Sequence, residues 1–351
     1  KPFLELSRRT LSRRIDSLTL EIFDRVGFKF NINSSQQLGD VLFEKMNLPA
    51  GKKTRKTGAY STDNEVLADL AGVPVVDLII EYRALKKLLS TYVVALADEL
   101  DPESRVHTSF NQAVAATGRL SSSNPNLQNI PVGEIGGVLM RKAFVASPGM
   151  RLLAADYSQV ELRVMAHFAE DPSLMDAFRK DLDIHSHTAA QVFSGREDLS
   201  EKEKRRRAKI VNFSILYGTG PFSLGKELGV PFAEAKELID RFFSTYSGVR
   251  RFIDETLARA EQSALVTTLL GRRRDIPEIQ SSNRNEKENG QRMAVNTIVQ
   301  GSAADLIKLA MIRIAGQLEG KGSRMLLQVH DELVFEYPPE EEAFLTELVR
   351  R

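Results

Sequence analysis

The stretch RMLLQVHDELVFEY (324–337) alternates apolar and polar residues on both sides of a tight polar centre. Alternation with a period of two is the pattern of a half-buried strand, and two such runs around a short polar break make a hairpin. The expected strands are 325–329 and 333–337, with His330, Asp331 and Glu332 at the turn. A second apolar run, MRLLAADYSQ (150–159), reads as a short strand that ends in Asp156. Strands this short, set among long helical stretches, place the chain in the α+β class, with helical modules around a small antiparallel sheet.

The helical stretches lie on both sides. Leu11, Ile15, Leu18 and Ile22 step by four, three and four, which marks one helical stripe. Thr62 and Glu65 fit a capping box ahead of a helix through Leu70, and Pro74 opens a longer helix over VVDLIIEYRALKKLLSTYVVALADEL (75–100). The first hundred or so residues thus read as a helical module, with a loop rich in Gly, Lys and Thr at 51–58 between its helices. From Arg105 the texture changes. RVHTSFNQ (105–112) alternates like a strand, and TGRLSSSNPNLQNIPV (117–132) is loop-like. SQVELRVMAHFA (158–169) has helical spacing, as does most of the chain from Asp171 to Ala264.

A length of 351 residues favours two or three substructures over one core, and 42% hydrophobic with 27% charged residues is ordinary globular composition. No apolar run approaches the ~20 residues that cross a bilayer, which excludes a membrane-spanning helix. The absence of cysteine excludes disulfides and thiolate metal sites and suits a reducing interior. Lys1 stands where a start Met would, and no signal peptide is visible, so the chain reads as a piece of a longer one. The net charge of +1 says nothing about partners, but three clusters stand out: Lys52, Lys53, Arg55 and Lys56; Lys202 to Lys209; and Arg272 to Arg274. Each is either a solvated face or part of a surface for a polyanion.

Two motifs are decoys. GPFSLGKE (220–227) nearly matches a phosphate-cradling loop, but Glu227 has no hydroxyl for Mg2+ and a helix precedes it where a strand is needed. His185 and His187, two apart in DIHSHTAA (183–190), face different sides of a helix, so they do not share a metal. That segment is either a helix start capped near Asp183 or a site where His185 alone meets a phosphate.

Asp156 and Asp331 carry more. Each alone has a structural reading at a strand end or turn. Together, at the ends of neighbouring strands, they can chelate a pair of Mg2+ ions, which accept a few carboxylates plus substrate phosphate oxygens. Two such ions about 3.5–4 Å apart stabilise both the attacking and the leaving oxygen of an in-line displacement. The helix RRRAKIVNFSILYG (205–218) offers the matching half. Its residues Arg205, Lys209, Phe213 and Tyr217 drift only ~40° per step and rise ~18 Å in all, about the length of a nucleoside triphosphate. Cations would hold phosphates and rings would lie against sugar and base; the bland reading makes the rings core anchors. Three arginines at a helix start oppose its dipole, so they are expected to meet an anion.

On these residues the chain resembles the polymerase region of the bacterial DNA polymerase I family, the family A DNA polymerases. DYSQVELR (156–163) and QVHDELVFE (328–336) are similar to its catalytic motifs, and RRRAKIVNFSILYG to the fingers helix that closes on the nucleotide. TGRLSSSNPNLQNIPV and QRMAVNTIVQGSAADLIK (291–308) are similar to its template–primer segments. The resemblance implies a right-hand fold: thumb at 1–100, palm at 101–163 and 287–351 with its C-terminal part cut short, and fingers at 164–286. It implies two Mg2+ ions, with Mn2+ as a substitute, held by Asp156, Asp331 and the Tyr157 carbonyl with Glu332 nearby. Arg205, Lys209 and His185 would hold the triphosphate, and Lys209 would donate a proton to pyrophosphate. Phe213, Tyr217, Gln159 and Glu161 would meet the nucleoside, Glu161 blocking a 2′-hydroxyl. Arg119, Arg292, Asn296, Gln300 and His330 would contact primer–template DNA, and Lys52, Lys53 and Arg55 would grip the duplex.

The implied partners are primer–template DNA and deoxynucleoside triphosphates, for a monomer in the bacterial cytoplasm or nucleoid, away from membranes. The alternative is a catalytically weakened relative that binds primer–template; the presence of both aspartates argues against it. Glu161 likewise argues against a single-subunit RNA polymerase. The chain also departs from the family. Ser214 replaces a Gly where a template base is expected to pass, and Gly133, Val138 and Leu139 replace basic residues, which lowers the positive charge expected near the triphosphate.

Overall fold

A computed structural model of the protein describes residues 1–49, 53 and 58–351. The chain falls into two compact units, residues 1–109 with 122–145 and residues 110–121 with 146–351. Lys52, Arg55 and Lys56 of the expected duplex-gripping loop lie outside the described residues; Lys53 is exposed, with Nζ 4.7 Å from the centre of the Tyr60 ring. No helix among the described residues is long and apolar enough to cross a membrane.

The first unit is helical. Helix α1 (Pro2–Val26) starts on a proline, whose missing N–H costs nothing there, and stops at Gly27, which takes a left-handed φ of 86°. Its stripe, Leu4, Leu11, Ile15, Leu18 and Ile22, is buried, and it packs on α2 (Pro74–Lys87), which buries Val75, Val76, Ile79, Tyr82 and Leu85. Arg14 ties the two helices through both oxygens of Glu81, each at 2.8 Å. Leu18 is fully enclosed (0% exposed), so Leu18→Ala is expected to lower unfolding stability by roughly 2–5 kcal/mol in a urea titration. The long helix after Pro74 does not stay α-helical: residues Leu88–Val94 form π-type turns before Ala95–Asp98 resumes the α form. The expected cap also shifts by one. Asp63, not Thr62, caps the helix Asn64–Asp69 by accepting the Val66 N–H at 2.9 Å. Thr62 is already engaged, since its hydroxyl and carbonyl both accept from the half-buried Arg83.

The second unit is built on a three-stranded antiparallel sheet of β1 (Arg151–Asp156), β2 (Arg324–Val329) and β3 (Glu332–Tyr337), with β3 in the centre. Its register sets Asp156 opposite Glu332 and Arg151 opposite Tyr337. The hairpin turn is tighter than expected: Glu332 is already paired with Val329 in the ladder, so only His330 and Asp331 turn the chain. His330 takes the left-handed φ of 58° that such a turn demands. Leu333, Phe335 and Tyr337 pack with Ile307, Ile314 and Leu345, which seats the sheet against the long helix Arg284–Gln317 and the helix Glu342–Arg350. Of RVHTSFNQ only Ser109–Asn111 is a strand.

A second core of the same unit gathers α3 (Val160–Ala169), α4 (Ile184–Val192), α5 (Glu201–Leu216) and the helices up to Ser263. GPFSLGKE lies in the helix Pro221–Leu228, with Gly220 as its cap, and forms no phosphate loop. Asp183 caps α4 by accepting the Ser186 N–H at 2.7 Å, and Ser200 caps α5.

Candidate active site

The sheet brings the acidic residues together. Asp156 ends β1 beside the β2–β3 turn, and the Tyr157 N–H donates to the Asp331 carbonyl at 3.1 Å, pinning the strand end to the turn. Burial pushes the Asp156 carboxyl above its usual range, and the negative charges of Asp331 and Glu332 push it further. Like charges held together in this way fit a divalent cation, which would relieve their repulsion. Among the described residues no group of three or more His, Asp or Glu side chains is arranged around one metal position. A Mg2+ that completes its shell with substrate oxygens needs only one or two protein carboxylates.

Next to the acids lies a polar cluster drawn from five segments. Gln159, left-handed at φ 54°, precedes α3 and so sets Glu161 in its first turn. Glu161 is buried (6% exposed), is paired with Arg119, and accepts from the Tyr217 hydroxyl at 3.0 Å. Burial raises its carboxyl despite the opposing pull of Arg119 and Tyr217. The Tyr217 phenol is pushed up to about 12 by burial and by the charge of Glu161. Arg119 follows Gly118, whose φ is 82° and whose missing Cβ would collide with the Arg272 guanidinium. Arg272 is held there by the buried Asp305, Nε to Oδ1 at 2.8 Å, and Thr268 donates to the other oxygen of Asp305 at 2.6 Å. Sequence reasoning passed over this ion pair because its members are 33 residues apart and belong to no local pattern. It also passed over Lys308, which lines one concavity with Arg119, His330 and Asp331.

Along α5 the stripe grades from open to enclosed. Arg205 and Lys209 are exposed, and Phe213 and Tyr217 are half-buried, their rings stacked at 6.0 Å and 27°. Arg205 donates to both oxygens of Asp183, at 3.1 and 2.7 Å, and this pairing holds the Asp183 carboxyl far below its usual range. The helix-dipole expectation is corrected here. The helix opens on Ser200, Glu201 and Glu203, and the arginines come a turn later. Arg206 and Arg207 both bind Glu203, at 2.7 and 2.8 Å, so their anion is internal. Ser214 is buried on the inner side of α5. Gly133, Val138 and Leu139 belong to the first unit, and Val138 sits in its core, where a cation would lose its hydration.

His185 and His187 lie apart as expected. His185 Nδ1 is 2.9 Å from the Asn212 amide nitrogen and its ring is 5.8 Å from Phe213, whereas His187 Nδ1 meets the Tyr246 hydroxyl at 3.0 Å. Arg292, Asn296 and Gln300 fall on one side of the long helix at steps of four. The Arg292 stem crosses Gly218, where a Cβ would come within 2.9 Å of it, so the end of α5 rests on that helix. Asn296 keeps a buried Oδ1 with no hydrogen bond in the described structure.

A family model described as DNA polymerase family A matches residues 1–351. The chain is 47% identical over 339 residues to a DNA polymerase I of Pseudomonas aeruginosa, covering 95% of this chain and 37% of that protein. It is 46% identical to the thermostable DNA polymerase I of Thermus aquaticus, over 94% of this chain and 40% of the relative, and 48% identical to a DNA polymerase I of Bacillus subtilis, over 97% and 39%. The chain thus spans about two-fifths of the length of these curated relatives. Among solved structures, the POL domain of Pol1 from M. smegmatis in complex with DNA primer-template and dNTP superimposes with a TM-score of 0.92 at 38% identity, over 99% of this chain and 62% of that one.

Proposed function

The chain belongs to DNA polymerase family A, and on that footing we propose that it is a template-directed DNA polymerase, adding deoxynucleoside triphosphates to a primer 3′-hydroxyl. The observation that carries the proposal is the junction of β1 with the β2–β3 turn, where Asp156, Asp331 and Glu332 are held against their own repulsion. Asp156, Asp331 and the Tyr157 carbonyl would hold a pair of Mg2+ ions, or Mn2+ in their place, with Glu332 nearby; when bound, these ions supply charge neutralisation at the phosphorus. The primer 3′-hydroxyl releases its proton to water as its oxygen bonds to the α-phosphorus, the bond from the α-phosphorus to the oxygen bridging to the β-phosphate breaks, and pyrophosphate leaves. The protein's part is positioning and electrostatics. Arg205, Lys209 and His185 hold the triphosphate, and Lys209 gives a proton to the departing pyrophosphate. Gln159, Glu161, Phe213 and Tyr217 frame the nucleoside. Arg119, Arg292, Asn296, Gln300 and His330 contact the primer terminus and its template partner, with Arg119 and Gln300 suited to the minor-groove acceptors shared by all correct pairs. Lys53, with Lys52 and Arg55, grips the duplex.

In this reading residues 1–100 act as thumb, 101–163 and 287–351 as palm, and 164–286 as fingers, in a monomer of the bacterial cytoplasm or nucleoid. Extension of a labelled primer on a defined template with Mg2+ tests it. Template-dictated addition is expected; tight primer–template binding with no extension would instead mark a relative that has lost catalysis. Phe213 also sets an expectation for chain terminators, since its ring has no hydroxyl to stand in for a missing 3′-hydroxyl. Phe213→Tyr is expected to raise dideoxynucleotide incorporation by about tenfold or more, the worth of one hydrogen bond near charged phosphates. Equal terminator use by both proteins in a sequencing-ladder assay would refute this role.

A further inference from the structure

Behind the outer edge of α5 runs a buried chain of hydrogen bonds that the proposed reaction does not use directly. His187 Nδ1 lies 3.0 Å from the Tyr246 hydroxyl, which lies 3.0 Å from Thr188 Oγ1. The Thr188 hydroxyl donates to Asn212 Oδ1 at 3.1 Å, and Asn212 Nδ2 lies 2.9 Å from His185 Nδ1. Thr188, Asn212 and Tyr246 are at most 2% exposed, so no solvent competes for these bonds.

Each hydroxyl has a single proton, and this gives the chain a direction. If Thr188 spends its proton on Asn212, the Tyr246 proton must bridge to Thr188. His187 must then donate to Tyr246 from Nδ1. At the other end the Asn212 amide N–H points at His185, so His185 Nδ1 must be a bare acceptor and its proton must sit on Nε2. We propose that Tyr246, Thr188 and Asn212 are positioning residues that lock the two histidines in opposite tautomers, Nδ1–H at His187 and Nε2–H at His185, so that His185 presents a fixed neutral N–H donor to an oxygen of the triphosphate. The inference rests on the reading that His185 meets that triphosphate; the tautomers themselves do not.

The surroundings agree. Burial pushes the His185 imidazole below its usual range, and the charges of Arg205 and Lys209 add to this against the pull of Asp183. A neutral ring with the wrong tautomer would aim a lone pair at an anionic oxygen. A locked Nε2–H instead binds the phosphate at any pH at which the enzyme works, and the two neighbouring cations supply the charge. The Tyr246 phenol is pushed up to about 12 by its burial, with Asp171 adding to the effect, so the relay keeps its proton throughout.

Two measurements on the whole protein test the assignment. Nitrogen-15 NMR of histidine-labelled protein at about pH 8 reads both tautomers directly, with the five histidine signals assigned by single substitutions. Opposite tautomers are expected, and Thr188→Val is expected to remove the coupling between them. Nδ1–H at His185, or the same tautomer at both rings, overturns the relay. The second is the KM for nucleotide in Asn212→Asp. A carboxylate there demands a proton on His185 Nδ1, so Nε2 keeps its own only while the ring is a cation. The variant's KM is expected to rise about tenfold or more relative to wild type between about pH 6 and about pH 9, with kcat little changed. Parallel pH profiles in the two proteins would show that the donor face of His185 is not set by Asn212. A wild-type protein with the expected tautomers but no primer extension would instead count against the polymerase reading alone.

Discussion

Asp156→Asn is expected to abolish primer extension and, at the same time, to raise the melting temperature. The loss follows from chemistry. A metal that polarises a phosphoryl oxygen contributes several kcal/mol of transition-state stabilisation, so losing a ligand is expected to slow turnover by at least about a thousandfold. The gain follows from linkage. The folded-state pKa of Asp156 lies above its unfolded value, chiefly because of burial and then because of Asp331 and Glu332. Such a group favours the fold below its unfolded pKa, and that contribution is lost as pH rises through the folded value. At neutral pH the ionised Asp156 therefore works against the fold, and a neutral amide of the same shape removes the conflict. A thermal melt and a single-turnover assay on the same sample check both halves. A variant that lost activity and melted lower would assign Asp156 a structural role.

Glu161→Ala is expected to raise ribonucleotide incorporation relative to deoxyribonucleotide by about 10- to 200-fold, the range set by roughly 1–3 kcal/mol of overpacking released. The carboxylate is buried and held from two sides, by Arg119 and by the Tyr217 hydroxyl at 3.0 Å. A side chain so fixed does not step aside for a 2′-hydroxyl. Glu161→Gln is the informative control. The amide fills the same space and still accepts from Tyr217, so discrimination is expected to stay within a few-fold of wild type even though the charge is gone. If both variants relax discrimination equally, charge and not shape sets the selection; if neither does, the gate lies elsewhere.

The parts of this protein legible from sequence were those with a local period. The stripe of α1, the hairpin around His330 and Asp331, and the strand ending at Asp156 each carry their pattern within a few consecutive residues. Local patterns failed where the partner was distant or had a rival. Thr62 lost its expected capping role because Arg83, 21 residues on, claims its hydroxyl. The basic run of α5 looked starved of anions because Asp183 lies 22 residues earlier, while the significance of Glu203 depended on where the helix starts. The Arg272–Asp305 pair behind Gly118, and the relay from His187 to His185, join segments 24 to 59 residues apart. Neither has a spacing rule that could have revealed it. The π-type turns at Leu88–Val94 were hidden because residues suited to an α-helix are equally suited to a slightly wider one.

The central claim is that Asp156 and Asp331 share divalent ions beneath a nucleotide clasped by α5. Anomalous diffraction from Mn2+ in a crystal of the protein with primer–template and an unreactive nucleotide analogue tests it most directly. The account predicts two manganese positions about 2.0–2.2 Å from carboxylate oxygens of these two residues, the distance hard six-coordinate cations require, with the analogue's phosphates completing their shells. Manganese bound elsewhere, or held by one aspartate with the other turned away, would contradict it.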